Sequence, residues 1–100
     1  MLGPKEIIFM NQTQKAVALK YNKGVDKAPR ITAKGKGYIA KKIIALAQEN
    51  DIPIKEDPDL VHVLSELDLQ EEIPPELYMV VAELLAFVYR MNQEKGKKDA

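Results

Sequence analysis

The sequence predicts an α/β fold, a small mixed β-sheet of about four strands surrounded by helices, in the order β-β-β-α-β-α-α. β-Branched, aromatic and other apolar runs fill the first third of the chain, a helical hydrophobic period begins at Tyr38, and prolines open two later segments. The length of 100 residues is that of one domain. With 46% hydrophobic and 30% charged residues, the chain has a globular rather than a disordered composition.

Three strands are predicted before the first helix. The first covers Lys5–Met10 and the second Ala16–Tyr21. The four polar residues between them, 11–14, have the length and composition of a hairpin turn. A third, weaker strand covers Arg30–Lys34 and is closed by the tripeptide Gly35-Lys36-Gly37.

The first helix begins at Tyr38 and ends at Asn50-Asp51. Its apolar residues share one face, which is formed by Ile39, Ala40, Ile43, Ile44 and Ala47. Because this helix separates the third strand from a fourth over Ile52–Glu56, we expect a right-handed crossover and a parallel strand pair. Pro53 places the fourth strand at a sheet edge or marks its start.

Two further helices complete the predicted fold. Asp57 before Pro58 is typical of an N-cap followed by a first-turn proline, which predicts a short helix over Asp59–Glu66. Pro74 and Pro75 open the longest helix, roughly Pro75–Met91. We expect one domain over residues 1–92 and a polar, flexible tail over residues 93–100.

The charged residues are segregated along the chain although the formal net charge is zero. Residues 1–42 carry ten basic and two acidic side chains, whereas residues 43–100 carry five basic and thirteen acidic ones. This asymmetry indicates either a charged partner or two solvated faces that partly neutralise each other in the fold.

Several classes of site are disfavoured by composition and spacing. The chain has no cysteine, and its one histidine, His62, has no second histidine beside it, so we predict no metal and no cofactor. The longest apolar stretch, Leu77–Tyr89, is shorter than the roughly 20 residues of a membrane span. These features predict a cytoplasmic protein.

Four separated segments of the chain match one known family in order and spacing. These segments are Ala16–Tyr21, Ala28–Gly35, Ile52–Ile54 and Glu72–Tyr78. Together with the helix to Arg90 they resemble the cytoplasmic domain of the FlhB family, the substrate-specificity switch proteins of flagellar and related type III secretion. The resemblance covers roughly Ile7–Met91. It implies a small mixed sheet surrounded by helices.

The resemblance also implies partners and a location. Export-gate cytoplasmic domains, export substrates and a hook-length control protein are the implied partners, and the implied place of action is the export gate at the inner membrane. Family members carry a membrane-embedded region before this domain. Because the present chain starts with Met1 just before the first strand, we expect a stand-alone paralogue.

The turn after the first strand departs from the family pattern. Family members carry Asn-Pro-Thr-His there and cut the chain between Asn and Pro, because the Asn side-chain amide attacks its own carbonyl carbon, forms a succinimide and expels the proline nitrogen. The turn here is Asn11-Gln12-Thr13-Gln14, which keeps the asparagine and the threonine. Gln12 brings an N–H that proline lacks, and Gln14 removes a group that could assist proton transfer. We therefore expect no efficient self-cleavage.

The leading prediction is a non-enzymatic protein-binding module of flagellar export, with no nucleic-acid partner. Its predicted partner-binding surface is basic and lies beside the turn, and it consists of Lys20, Arg30, Lys34, Lys36, Lys41 and Lys42. Two alternatives remain open. One is a self-processing protein with residual Asn11 cyclisation, and the other is a small anion- or RNA-binding domain that uses the Gly35–Gly37 turn.

Overall fold

The computed structural model describes residues 5–12, 14–22 and 27–86. The strands are β1 (Lys5–Met10), β2 (Lys15–Tyr21), β3 (Arg30–Lys36) and β4 (Ile54–Glu56), and the helices are α1 (Tyr38–Glu49) and α2 (Pro58–Leu64). A 3-10 turn, Pro75–Leu77, leads into helical residues 78–86, which we call α3. The predicted α/β class and element order are confirmed.

The four strands form one mixed sheet in the order β3-β2-β1-β4. β1 and β3 are each antiparallel to β2, whereas β4 is parallel to β1. The predicted parallel pair is therefore β1 with β4, and α1 carries the chain from one edge of the sheet to the other. Pro53 immediately precedes the edge strand β4, where a missing backbone donor is tolerated.

Each face of the sheet carries its own hydrophobic core because successive side chains of a strand point to opposite faces. One core joins the sheet to α2 and α3, and its members include Ile7, Phe9, Val17, Leu19, Ile31, Leu60, Val61, Leu64, Ile73, Val81 and Leu85. The other joins the sheet to α1 and includes Ile8, Ala16, Ala18, Ala40 and Ala47. The alanines on both partners allow α1 to approach the sheet closely.

A β-bulge in β3 changes which side chains face each core. Leu19 pairs with Ile31 and Ala18 pairs with Ala33, so Thr32 is the extra residue. The Thr32 hydroxyl donates to the Ala18 carbonyl oxygen at 3.3 Å. Because of the extra residue, Ile31 and Lys34 both face the α2 side of the sheet.

Several element boundaries differ from those predicted. β3 continues through Gly35 and Lys36, because Gly35 pairs with Ala16 instead of opening a loop. A Cβ atom on Gly35 would lie 2.6 Å from the Ile39 Cβ, so glycine permits α1 to pack over the end of β3.

The next two elements also differ from their predicted bounds, because β4 begins at Ile54 and α2 covers Pro58–Leu64. The Asp57 carboxylate accepts from the Leu60 N–H at 3.1 Å, as predicted for an N-cap.

The predicted buried face of α1 is too wide by one residue. Ala40 and Ala47 are buried, but Ile39 is 50% exposed because the alanines, and not the isoleucine, form the centre of the contact with the sheet. The end of the predicted last helix and the tail 93–100 lie outside the described residues. Among the described helices, none is long and apolar enough to span a bilayer.

Candidate functional site

The turn between β1 and β2 fixes the side chain of Asn11. The Lys15 N–H donates to Asn11 Oδ1 at 2.8 Å, and the Asn11 N–H donates to the Lys15 carbonyl oxygen at 3.1 Å. The Gln14 N–H donates to the Asn11 carbonyl oxygen at 3.3 Å, which closes a four-residue turn. Gln14 has a φ of 67°, in the left-handed region. Thr13 lies outside the described residues.

This arrangement keeps part of what cyclisation at Asn11 would require. Attack on the Asn11 carbonyl carbon would place negative charge on the oxygen that already accepts the Gln14 N–H, and such donors stabilise that charge. The leaving nitrogen would belong to Gln12, a secondary amide without the backbone restriction that proline imposes. The turn therefore holds the nucleophile-bearing residue but lacks two of the groups that act with it in the family pattern.

The turn is joined directly to the start of α1. The Gly37 N–H donates to the Gln14 carbonyl oxygen at 2.7 Å, and Gly37 has a φ of 60°, which glycine adopts without strain. Lys15 also pairs with Lys36 in the β2–β3 register. The turn, the end of β3 and the N-terminus of α1 thus form one continuous surface.

The six basic residues predicted to bind a partner do not form one patch. Lys36, Lys41 and Lys42 are exposed on β3 and α1 near the turn. Lys20 and Arg30 face each other in the β2–β3 register at the other end of these strands. At a rise of about 3.3 Å per residue, that end lies about 17 Å from Lys15.

Arg30 joins β3 to the segment that precedes α3. Its guanidinium donates to the Gln70 carbonyl oxygen at 3.2 Å and lies 3.9 Å from the Glu72 carboxylate. The Gln70 N–H also donates to the Ile31 carbonyl oxygen at 2.7 Å, so this segment covers part of the β3 edge. Arg30 therefore has an intramolecular role beside its predicted one.

Lys34 lies half-buried, and its ammonium group binds the C-terminal end of α2. Its Nζ donates to the carbonyl oxygens of Ser65 at 3.2 Å and Leu67 at 2.5 Å. These oxygens lie where a helix leaves carbonyl groups without intrahelical partners. Lys34 therefore joins the end of α2 to the sheet.

We expect Lys34→Met to lower the free energy of unfolding by about 1.5–3 kcal/mol, the range for hydrogen bonds that involve a charged group. Methionine keeps most of the aliphatic stem but donates to neither oxygen. Urea denaturation measures the change, with the exposed Lys36→Met as the matched control. Equal stability of the two variants would contradict the role assigned to Lys34.

The residues of the other candidate sites can be located in the part of the chain that the structure describes. Residues 5–12, 14–22 and 27–86 contain no group of three or more metal-ligating His, Cys, Asp or Glu side chains. His62 is exposed, with its Nε2 4.0 Å from the Glu66 carboxylate. The alternative anion site loses one of its loop glycines because Gly35 belongs to β3.

One exposed apolar surface was missed by the sequence interpretation. Tyr38, Ile39 and Leu46 are exposed along the outer side of α1, at 71%, 50% and 57%. The signal was present in the sequence, because positions 39 and 46 are seven residues apart and lie on one side of a helix.

Comparisons with known proteins give the family and close relatives. The family described as FlhB HrpN YscU SpaS is matched over residues 5–88. The uncharacterized protein YlqH of Bacillus subtilis (strain 168) is 44% identical over 86 residues, which cover 85% of this chain and 92% of that protein. The flagellar biosynthetic protein FlhB of Aquifex aeolicus is 43% identical over 83 residues, 82% of this chain but 24% of FlhB.

Solved structures show the same fold. The cytoplasmic domain of FlhB from Shewanella putrefaciens superimposes with a TM-score of 0.84 and 32% identity, covering 93% of this chain and 72% of that one. A variant of the EscU C-terminal domain gives a TM-score of 0.78 at 30% identity, covering 81% and 75%. This chain therefore spans most of YlqH and about a quarter of the Aquifex FlhB protein. With this match over nearly all of its described length, the chain belongs to the FlhB HrpN YscU SpaS family.

Proposed function

We propose that this chain is a non-cleaving, non-enzymatic binding module of the flagellar type III export apparatus. The observation that carries the proposal is the turn Asn11–Gln14, which has the family's position and asparagine but glutamine in place of the proline and the histidine. The family resemblance supplies the proposed domain, residues 1–92, and the proposed partners, which are export-gate cytoplasmic domains, export substrates and a hook-length control protein. It also supplies the place of binding, which is the cytoplasm at the export gate.

The chemistry of Gln12 supports the absence of cleavage. The backbone nitrogen of Gln12 can bond to the Asn11 side-chain carbonyl carbon, whose amide group then leaves as ammonia with the proton of that nitrogen. Proline blocks this route because it has no N–H, and the route leads to deamidation instead of chain scission. No proline ring restricts Asn11 to the extended backbone region. Gln14 cannot exchange a proton near neutral pH as histidine does.

Intact mass measured under denaturing conditions tests the cleavage part of the proposal. After prolonged incubation at neutral pH, we expect only the uncut chain, in which deamidation of Asn11 replaces an amide by a carboxyl group at nearly unchanged mass. Asn11→Ala is the matched control, because it removes the nucleophile and keeps the backbone hydrogen bonds that join residue 11 to Lys15 and Gln14. Fragments that end at Asn11 and begin at Gln12, absent from the control, would contradict the proposal and favour the self-processing alternative.

The exposed lysines support the binding part. Lys36, Lys41 and Lys42 lie beside the turn with their charges in solvent, where they attract an acidic partner surface over a Debye length of about 8–10 Å. Charge of this kind steers association and sets partner choice more than it sets affinity.

Binding to purified export-gate cytoplasmic domains tests this part over a range of NaCl concentrations. We expect the double variant Lys41→Glu and Lys42→Glu to bind several-fold more weakly at low salt, and the difference to shrink at high salt. Lys55→Glu, at an exposed position on β4, is the control. The absence of any binding to these domains would overturn the proposed function.

A further inference from the structure

We propose that the outer side of α1 is a docking surface for an acidic amphipathic helix of a partner protein. The inference rests on the proposed function and specifies which surface is used and what chemistry it recognises. We call the four residues Tyr38, Ile39, Lys42 and Leu46 the α1 stripe.

The α1 stripe lies outside the centre of the contact between α1 and the sheet, and Ile39 also packs over Gly35 at the edge of that contact. Ala40 and Ala47 are buried against the sheet, whereas Tyr38, Ile39 and Leu46 are 71%, 50% and 57% exposed. Positions 39, 42 and 46 follow the i, i+3, i+7 spacing that places side chains in a row along a helix. The stripe therefore offers apolar anchors at the spacing that a second helix can pack against.

The charges around the α1 stripe decide the chemistry of its partner. Lys36, Lys41 and Lys42 surround the N-terminal end, and the first turn of α1 contains no acidic residue. The positive end of the helix dipole adds to the same potential. Glu49 lies at the opposite end of α1. A complementary helix carries carboxylates over the Tyr38 end and apolar side chains along its length.

Lys42 belongs to the stripe and not only to its rim. Its Nζ lies 5.1 Å from the centroid of the Tyr38 ring, a distance at which an ammonium group and an aromatic face attract each other. The aromatic ring and the charge are thus held together on the surface. When a carboxylate of the partner helix reaches Lys42, the apolar side chains next to that carboxylate contact Tyr38 and Ile39.

A protein helix fits this surface better than a membrane does. α1 uses its buried side, formed by the alanines with Ile43 and Ile44, to pack on the sheet. The side of α1 that faces solvent carries a narrow row of three apolar side chains, with the Glu49 carboxylate at one end. Interfacial membrane helices present a broad apolar face with a basic polar face, and α1 has no such face left.

The test uses a synthetic helical peptide of about 18 residues, with Leu and Phe at i, i+3, i+4 and i+7 and with Glu beside them. Nuclear magnetic resonance titration of the full chain locates its binding, and we expect perturbed amides at residues 38–46. Leu46→Glu should weaken binding about tenfold or more. Val63→Glu, at a 43% exposed position on α2, is the matched control and should bind as the wild type does. Both sites are exposed, and melting temperature checks that both variants fold.

Four results would overturn the proposal. In the first, a peptide with Gln in place of Glu binds as tightly as the acidic peptide; in the second, the perturbed amides lie away from α1. In the third, the chain binds phosphatidylglycerol vesicles instead of the peptide, and this binding depends on Leu46. In the fourth, the chain associates with itself and Leu46→Glu abolishes that association. Binding of the same variants to export-gate domains separates this inference from the proposed function. If Leu46→Glu binds both the peptide and the gate domains as the wild type does, only the α1 surface is wrong. If the wild type binds the peptide but not the gate domains, only the proposed function is wrong.

Discussion

Phe9→Ala is expected to lower the free energy of unfolding by about 3–5 kcal/mol, the cost of removing a buried aromatic side chain. Phe9 is fully buried on β1, which lies between β2 and β4, and its ring packs in the core shared with α2 and α3. A domain of this size has about 5–15 kcal/mol of stability. The substitution therefore removes a large fraction of the total.

Chemical denaturation followed by circular dichroism measures this loss. Val80→Ala is the control, since Val80 is 46% exposed on α3 and its truncation leaves no cavity. We expect the control to change stability by less than about 1 kcal/mol. A similarly small change for Phe9→Ala would mean that the sheet and the two C-terminal helices are not packed as described.

The double variant Gln12→Pro and Gln14→His is expected to cleave itself after Asn11. Position 12 is the second residue of the turn that the Gln14 N–H closes on the Asn11 carbonyl oxygen, and proline is favoured there. The φ of 67° at position 14 is one that histidine adopts more readily than most residues. Asn11 Nδ2 then bonds to its own carbonyl carbon, the bond from that carbon to the nitrogen of the introduced proline breaks, and the proline nitrogen receives the proton.

Denaturing mass spectrometry follows the appearance of the two fragments with time. Adding Asn11→Ala to the double variant removes the attacking amide and should restore a single intact species. Gln12→Pro alone separates the contribution of the leaving group from that of the histidine. A folded double variant that stays intact would show that cleavage requires groups outside the turn.

Much of the fold could be predicted because it depends on local patterns. A short run of β-branched and aromatic residues predicts β1, the helical period predicts α1, and Asp57 before Pro58 predicts the start of α2. The extra residue Thr32 could not be predicted, because a bulge depends on the register between two strands and not on either strand alone.

The site was predicted less completely for the same reason. The resemblance identified Asn11 and the replaced neighbours, but the bond from the Lys15 N–H to Asn11 Oδ1 exists only once the hairpin closes. The sequence shows that Lys34 is basic but not where its side chain points. In the fold, the bulge turns the Lys34 ammonium group towards α2. The exposure of Ile39 depends on the alanines that bring α1 close to the sheet.

The position of β1 within the sheet determines what a broken turn would look like in solution. β1 is hydrogen-bonded to β2 on one side and to β4 on the other, and both of these strands come after the turn in the sequence. A chain severed after Asn11 would remain one particle, held by two ladders and a shared core. Its mass and shape in native separation would match those of the uncut chain, so the integrity of this backbone can be read only after unfolding.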